Sequence, residues 1–388
     1  MESLADYFGT YYFMGLVLNV ESDDEQLVAG MPGVPAGYEV LLQPLETDLF
    51  RAVGGPTDGS PIKFIRNSAG EVTSLFVGTY ELVKIDPEAL VNLPVVERLL
   101  PPKFELTPQK QAEFEQLLQT HLREAQGGWI EYQLPYPKHE FVQFITTQDQ
   151  VIFHGSNNPE IEEFQPIRKS MELRDETGRG NVQAVYGTHD GLWAMFFAIV
   201  DRPRLHGSIR NGVMYFQNRA GEQVAVYNFS INQEQLSERP YTEGALYLLP
   251  RDSFVRLQLT PETYANEWAS EQPVKPFAKL RLQPEDFPFL EQIGGHDDSE
   301  LLRLNSMSRQ IREAAISAAL EGNHFEVNLP KDAEIAATLN EYIEMQQVMM
   351  PAAQFSMQHT DKGVKLSISS LPPAVQQMLS EQYQDLLS

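Results

Sequence analysis

Val151-Ile152-Phe153-His154-Gly155-Ser156 reads as a buried strand ending in His-Gly-Ser. A short apolar run of this kind suits a strand covered on both faces. About thirty residues on, Ala184-Val185-Tyr186-Gly187-Thr188 is a second such strand, followed by His189-Asp190. Leu192-Trp193-Ala194-Met195-Phe196-Phe197-Ala198-Ile199 then predicts a buried helix, with Trp193, Phe196 and Phe197 facing the core. Residues 213–216 and 224–229 pair as a hairpin, and 245–250, 266–270 and 278–282 supply further strands. Strands and one apolar helix in this order predict a mixed α+β domain over 129–293.

The stretch 151–286 resembles the ADP-ribosyltransferase superfamily of the His-Tyr-Glu type, on His154-Gly155-Ser156, on Tyr186-x-Thr188 and on the helix that follows. The resemblance implies NAD as substrate and cleavage of its nicotinamide–ribose bond, with transfer of ADP-ribose to an acceptor. It implies that His154 hydrogen-bonds the nicotinamide-side ribose and that Gly155 grips the carboxamide through its backbone. Tyr186, opening the Tyr-x-Thr strand end, would stack on the nicotinamide ring. The family glutamate matches Glu267 best, because Val274-Lys275-Pro276 and a closing strand follow it; Glu243, before 245–249, competes. These residue types suit the chemistry. Positive charge grows on the sugar as the bond breaks, and a carboxylate placed there stabilises it. An aromatic face holds the planar leaving group.

The residues by themselves leave plainer readings open: a strand-end histidine, a core tyrosine and surface carboxylates. Two alternatives therefore stand beside the enzyme. One is a catalytically degenerate domain of the same fold that binds a nucleotide or a partner. The other is an adaptor in which the flanking domains mediate assembly. Arg168, Arg174, Arg179 and Arg210 are candidates for a pyrophosphate, and the polar stretch 172–181 for a loop over a cleft.

Residues 1–86 read differently. Segments 11–20, 26–29, 38–44, 49–53, 62–66, 72–77 and 80–85 have strand character, divided by turns such as Asp58-Gly59-Ser60 and Asn67-Ser68-Ala69-Gly70. Seven or eight short strands at roughly ten-residue spacing predict a small antiparallel β-barrel. Tyr7-Phe8-Gly9-Thr10-Tyr11, Leu42-x-Pro44 with Phe50, Ile62-x-Phe64 and Asn67-x-x-Gly70-x-Val72 make it similar to the lipocalin-like barrel appended to serine β-lactamase-like hydrolases. A barrel of this size is expected to be filled by side chains, or to hold one small apolar ligand.

Residues 87–128 are expected to be a connector: prolines 87, 94, 101 and 102, then one helix capped at Thr107-Pro108 and stopped at Gly127-Gly128. Its apolar face is Phe114, Leu117, Leu118, Leu122 and Ala125. Residues 296–388 predict a small α/β domain of order αβαββα. Its first helix runs from a Ser299 cap to Glu321 with Gly322 beyond its end, and helices near 332–350 and after Pro372 follow, the former ended by Pro351. The whole is an α+β multidomain chain.

Composition bounds the function. The 388 residues carry 29 Lys+Arg against 54 Asp+Glu, a net charge of -25. That field repels phosphate backbones and anionic membranes, so general nucleic-acid binding and membrane association are not expected. The absence of cysteine excludes disulfides, thiolate metal sites and cysteine nucleophiles. Eight scattered histidines without His-Glu-x-x-His predict no metal. Neither a P-loop nor a Gly-x-Gly-x-x-Gly dinucleotide turn occurs, and no Gly-x-Ser-x-Gly elbow. The acidic opening, without a basic region or cleavage site, leads to the expectation of a cytoplasmic protein with NAD as its small-molecule partner.

Overall fold

An open sheet of short strands leaves two unpaired edges, and closure removes both. In the computed structural model the strands β1 (Gly9–Phe13), β2 (Leu16–Asp23), β3 (Gln26–Gly30), β4 (Val40–Glu46), β5 (Leu49–Val53), β6 (Pro61–Arg66), β7 (Val72–Val77) and β8 (Tyr80–Ile85) form a closed barrel in sequence order. The structure describes residues 4–13, 15–78, 80–93, 95–124, 127–169, 182–258, 264–349, 353–371 and 373–387. The last strand returns to the first through Thr10↔Ile85, Tyr11↔Lys84 and Tyr12↔Val83. The single strand expected over 11–20 is two strands, because the chain reverses between Phe13 and Leu16. Gly15 there has φ +90°, open to glycine without a Cβ clash.

Side chains fill the barrel. Tyr11, Phe50, Phe64, Leu42 and Leu82 are buried inside it. Tyr7, from the short turn Leu4–Tyr7, lies 5.1 Å from Phe50 and 4.8 Å from Phe64 between ring centres. The Tyr11 hydroxyl donates to the Tyr7 carbonyl at 2.7 Å, so this polar group carried inward has an acceptor.

The middle of the chain contributes α1 (Pro108–Glu124), β9 (Gly128–Trp129), α2 (Lys138–Thr146), β10 (Val151–Ser156), β11 (Arg168–Lys169), β12 (Gln183–Thr188), α3 (Gly191–Ile199), β13 (Ile209–Gln217), β14 (Gln223–Asn232), β15 (Gly244–Pro250), β16 (Val255–Gln258), β17 (Tyr264–Ser270), β18 (Ala278–Leu282) and β19 (Gly294–His296). One sheet runs β16-β17-β12-β10-β15-β18-β9, and a smaller one β13-β14-β19. Central β15 is apolar along its length, as a strand covered on both faces must be. On one face the core joins α1, α2 and α3 to the smaller sheet through Phe114, Phe141, Phe153, Phe196 and Phe229. On the other, Ile152, Tyr247, Leu249 and Trp268 form a second cluster.

Two expectations about boundaries change. The helix read as a connector is a core element: Phe114 is fully buried, 5.3 Å from Phe141 and 5.6 Å from Phe144 between ring centres. The barrel is also not separate from the central sheets. Phe216 and Val226 of the β13–β14 hairpin join the barrel's apolar cluster, and Leu99 exchanges both backbone hydrogen bonds with Tyr227, at 2.7 and 2.8 Å. Barrel and central sheets therefore belong to one compact unit, made of the chain up to Arg168 and Ala184–His296, and a second unit contains Asp297–Ser388.

That second unit holds α4 (Ser299–Ala314), β20 (Ser317–Glu321), β21 (His324–Pro330), α5 (Ala333–Met349), β22 (Gln354–Thr360), β23 (Gly363–Ser369) and α6 (Pro373–Gln382). The first helix stops at Ala314, not Glu321, and the order is αββαββα rather than αβαββα. Residues 317–321 pair with β21, Ala318 opposite Val327, around a tight turn in which Gly322 has φ +59°. Small alanines fit either period, and the glycine closes a hairpin instead of a helix. Asp298, not Ser299, takes the N-cap position, and Ser299 bonds to Asp297 through its N–H and its hydroxyl. Prolines 94, 351 and 372 and Ala125 lie outside the described residues. No described helix is long and apolar enough to cross a membrane.

Candidate functional site

The strands β10 and β12 meet through the pairing Phe153↔Thr188. One residue further along β10, the His154 ring takes over, with Nδ1 2.7 Å from the Tyr186 carbonyl oxygen. A carbonyl only accepts, so Nδ1 carries the proton and the neutral ring keeps a lone pair on Nε2. Burial lowers the His154 pKa and thus favours this neutral form; the hydrogen bond to Tyr186 opposes the shift, and Arg168 and Arg202 add to it. Phe164 packs on the ring at 4.7 Å.

A cleft of about 310 Å³ opens beside this junction. That is near the lower end of the roughly 300–1,000 Å³ seen for small-molecule sites. His154, Gly155, Ser156, Tyr186, Thr188 and Glu267 all line it. Glu267 reaches it because β17 pairs with β12 in the register Thr188↔Glu267 and Tyr186↔Ala269. Residues directly opposite in an antiparallel ladder share a face, which puts the carboxylate beside Thr188. The competing Glu243 does not line this cleft; Arg281 and Gln283 both bond its carboxylate.

The helix α3 forms another wall. Asp190 caps it, accepting from the Trp193 N–H at 2.8 Å through Oδ1. The Asp190 Oδ2 accepts from the Tyr215 and Tyr227 hydroxyls at 2.6 and 2.8 Å. Burial first, and then the Asp190 charge, pushes both phenol pKa values up, so both hydroxyls stay protonated donors. The Thr188 hydroxyl is also engaged, accepting from the Asp190 N–H at 3.0 Å. Gly155 seats the helix: a Cβ there would lie 2.0 Å from the Ala194 carbonyl oxygen and 2.6 Å from the Ala198 nitrogen. The glycine of His-Gly-Ser is thus required by helix packing. The Ser156 Oγ accepts from the Asn158 N–H at 3.1 Å, a local turn bond.

The sequence placed three aromatics of α3 in the core. Phe196 and Trp193 are buried there and Phe197 packs partly buried against them; Trp193 and Phe197, four residues apart and so on one helical face, also line the cleft. Sequence reasoning missed Arg202, which follows α3 and lines the cleft together with Arg168. Its guanidinium lies over the Phe197 ring at 5.6 Å, and Arg168 over the Tyr186 ring at 5.7 Å. Loss of water lowers the Arg202 pKa, and the Arg168 charge adds to it. Among the described residues neither arginine forms an ion pair with a carboxylate. Arg202 follows the end of α3 at Ile199 and opens the short turn Arg202–Arg204. Arg210 is not among the lining residues. Arg174, Arg179 and the stretch 172–181 lie outside the described residues.

The cleft therefore combines a neutral imidazole, several aromatic side chains, a carboxylate and two arginines. It offers stacking to a planar ring, a hydrogen-bond acceptor to a hydroxyl, and cations to an oxyanion. Among the described residues no three His, Asp or Glu side chains gather as a metal site. No protein-family model matches the chain, and no curated protein matches it.

Proposed function

We propose that this protein binds NAD in the cleft and cleaves its nicotinamide–ribose bond, transferring ADP-ribose to an acceptor nucleophile. The observation that carries this reading is the shared cleft of His154, Tyr186 and Glu267, brought from three strands far apart in the chain. Tyr186 stacks on the nicotinamide. The His154 Nε2 lone pair accepts from a ribose hydroxyl, and Glu267 faces the sugar. Arg168 and Arg202 hold the pyrophosphate. The C1′–N bond breaks with its electron pair going to the ring, and nicotinamide leaves neutral. The Glu267 carboxylate stabilises the cation left on C1′. The acceptor then attacks C1′ and gives up its proton.

Nicotinamide release from NAD by the full chain tests this. Wild type is expected to release it, and Glu267→Gln to lose about 100-fold or more in rate with NAD binding retained. Glu243→Gln is expected to change neither. Calorimetry with Tyr186→Ala places the ligand, because that substitution removes the stacking face. No NAD binding at millimolar concentration would refute the reading. Binding without cleavage in wild type would leave the catalytically degenerate domain, a nucleotide-binding module, in its place.

A further inference from the structure

A second, larger cleft of about 590 Å³ opens at the other end of β10 and β15, where Gln150 and Pro250 lie. Its charged lining is Arg123, Arg251 and Lys275 against Asp149 and Asp252. Three cations against two carboxylates leave a net positive pocket on a chain whose net charge is -25. Leu122 and Phe277 add apolar wall.

Arg251 is the unusual member. Its guanidinium carbon stacks 3.9 Å from the Trp268 ring centre. Its Nε is buried without a hydrogen-bond acceptor, and so is the Trp268 Nε1. The nearest carboxylate oxygen, on Asp149, stands 3.8 Å from that Nε, too far for a hydrogen bond. Buried donors without partners are rare in folded proteins, and a bound ion or water is one way such a donor is satisfied. Stacking on an aromatic face fixes the plane of a guanidinium and leaves its edge for a bidentate oxyanion. The two flanking cations are loosely held among the described residues. Lys275 pairs with Glu163 at 3.9 Å, with the lysine largely exposed, and Arg123 forms no ion pair with a described carboxylate.

We propose that this second cleft binds a small organic molecule that carries an oxyanion, a phosphate ester or a carboxylate, on an apolar body. The oxyanion docks on Arg251 between Arg123 and Lys275, and the body lies against Leu122 and Phe277. This inference does not rest on the NAD reading; it concerns different residues at the opposite end of the strands.

Calorimetric titration of the full chain with phenyl phosphate and, separately, with benzoate tests it. Saturable binding of at least one probe is expected, weakened about tenfold by Arg251→Gln and several-fold by Lys275→Gln. It should also weaken with added salt. The probe that binds better identifies the oxyanion. Arg168→Gln, which weakens any probe binding in the first cleft, is expected to leave the Arg251-dependent binding unchanged. Should Arg251→Gln fail to fold, Arg123→Gln, at an exposed position, carries the comparison and is expected to weaken binding. Absence of saturable binding of both probes at about 10 mM would overturn the proposal. So would binding that Arg251→Gln or, in its place, Arg123→Gln leaves intact, or an Arg251-dependent binding that is lost with Arg168→Gln.

Discussion

Gly155→Ala separates two readings of the same glycine. If its purpose is close approach to a ligand, alanine weakens binding and leaves stability alone. The structure leads to a different result. The new Cβ would sit 2.0 Å from the Ala194 carbonyl oxygen, where ordinary contact begins near 3.4 Å. Relief requires α3 to move by about 1.4 Å, and both clashing groups are helix backbone, which no rotamer change can clear. That helix cannot move alone, because Met195, Phe196, Ala198 and Ile199 are buried in the main core. Overpacking of a tight core costs about 1–3 kcal/mol, and a backbone-to-backbone clash belongs at or above the top of that range. At roughly 2–4 °C per kcal/mol for a unit of this size, the melting temperature should fall by about 6–12 °C. Thermal unfolding followed by circular dichroism measures it. A change of under about 2 °C would refute the packing argument and return Gly155 to a purely ligand-contacting role.

Asp190→Ala removes a helix cap and the common acceptor of two buried hydroxyls; a loss of about 3 kcal/mol or more is expected in urea unfolding, and a loss below about 1 kcal/mol would show that the network contributes little. Burial holds the pKa of His139, His154 and His189 below the ordinary histidine value. Above about pH 6.5 both folded and unfolded states are neutral at these rings and stability is full. As pH falls through about 6.5, the unfolded chain takes up protons that the folded chain refuses, and stability drops toward the lower folded values. The melting temperature should be level from about pH 8 to 7 and decline between about 6.5 and 5; a level or rising profile there would contradict the burial of these rings.

Much of the architecture is written in local pattern. Short apolar-rich stretches bounded by turn residues, such as 49–53 and 62–66, are what the strands of a small barrel require, and β5 and β6 occupy them with burial alternating over 50–53 and 61–64. Failures came where local pattern is ambiguous. Residues 317–321 are small enough for either period, and pairing with β21 decided between them. Phe196 and Phe197 are adjacent and equally apolar, yet one meets Phe229 across the core and the other lines a cleft. The orientation of α3 on Gly155 makes that difference, and no spacing in the sequence expresses it.

For the candidate site the division is sharper. His154-Gly155-Ser156 and Tyr186-x-Thr188 stood out in the sequence because a strand end with those residues is a local feature. There Glu267 ranked above Glu243 only by the segments that follow it, since each precedes or opens a strand. The ladder separates them: Thr188↔Glu267 brings one carboxylate into the cleft, while Arg281 and Gln283 hold the other outside the lining. Arg202 entered the site only through the position of the helix it follows. Sequence alone determined the barrel, the strand ends and the apolar helix, because burial and period act within a few residues. Tertiary structure decided which side chains share a cleft, because strand register and helix seating are set by contacts between segments far apart in the chain.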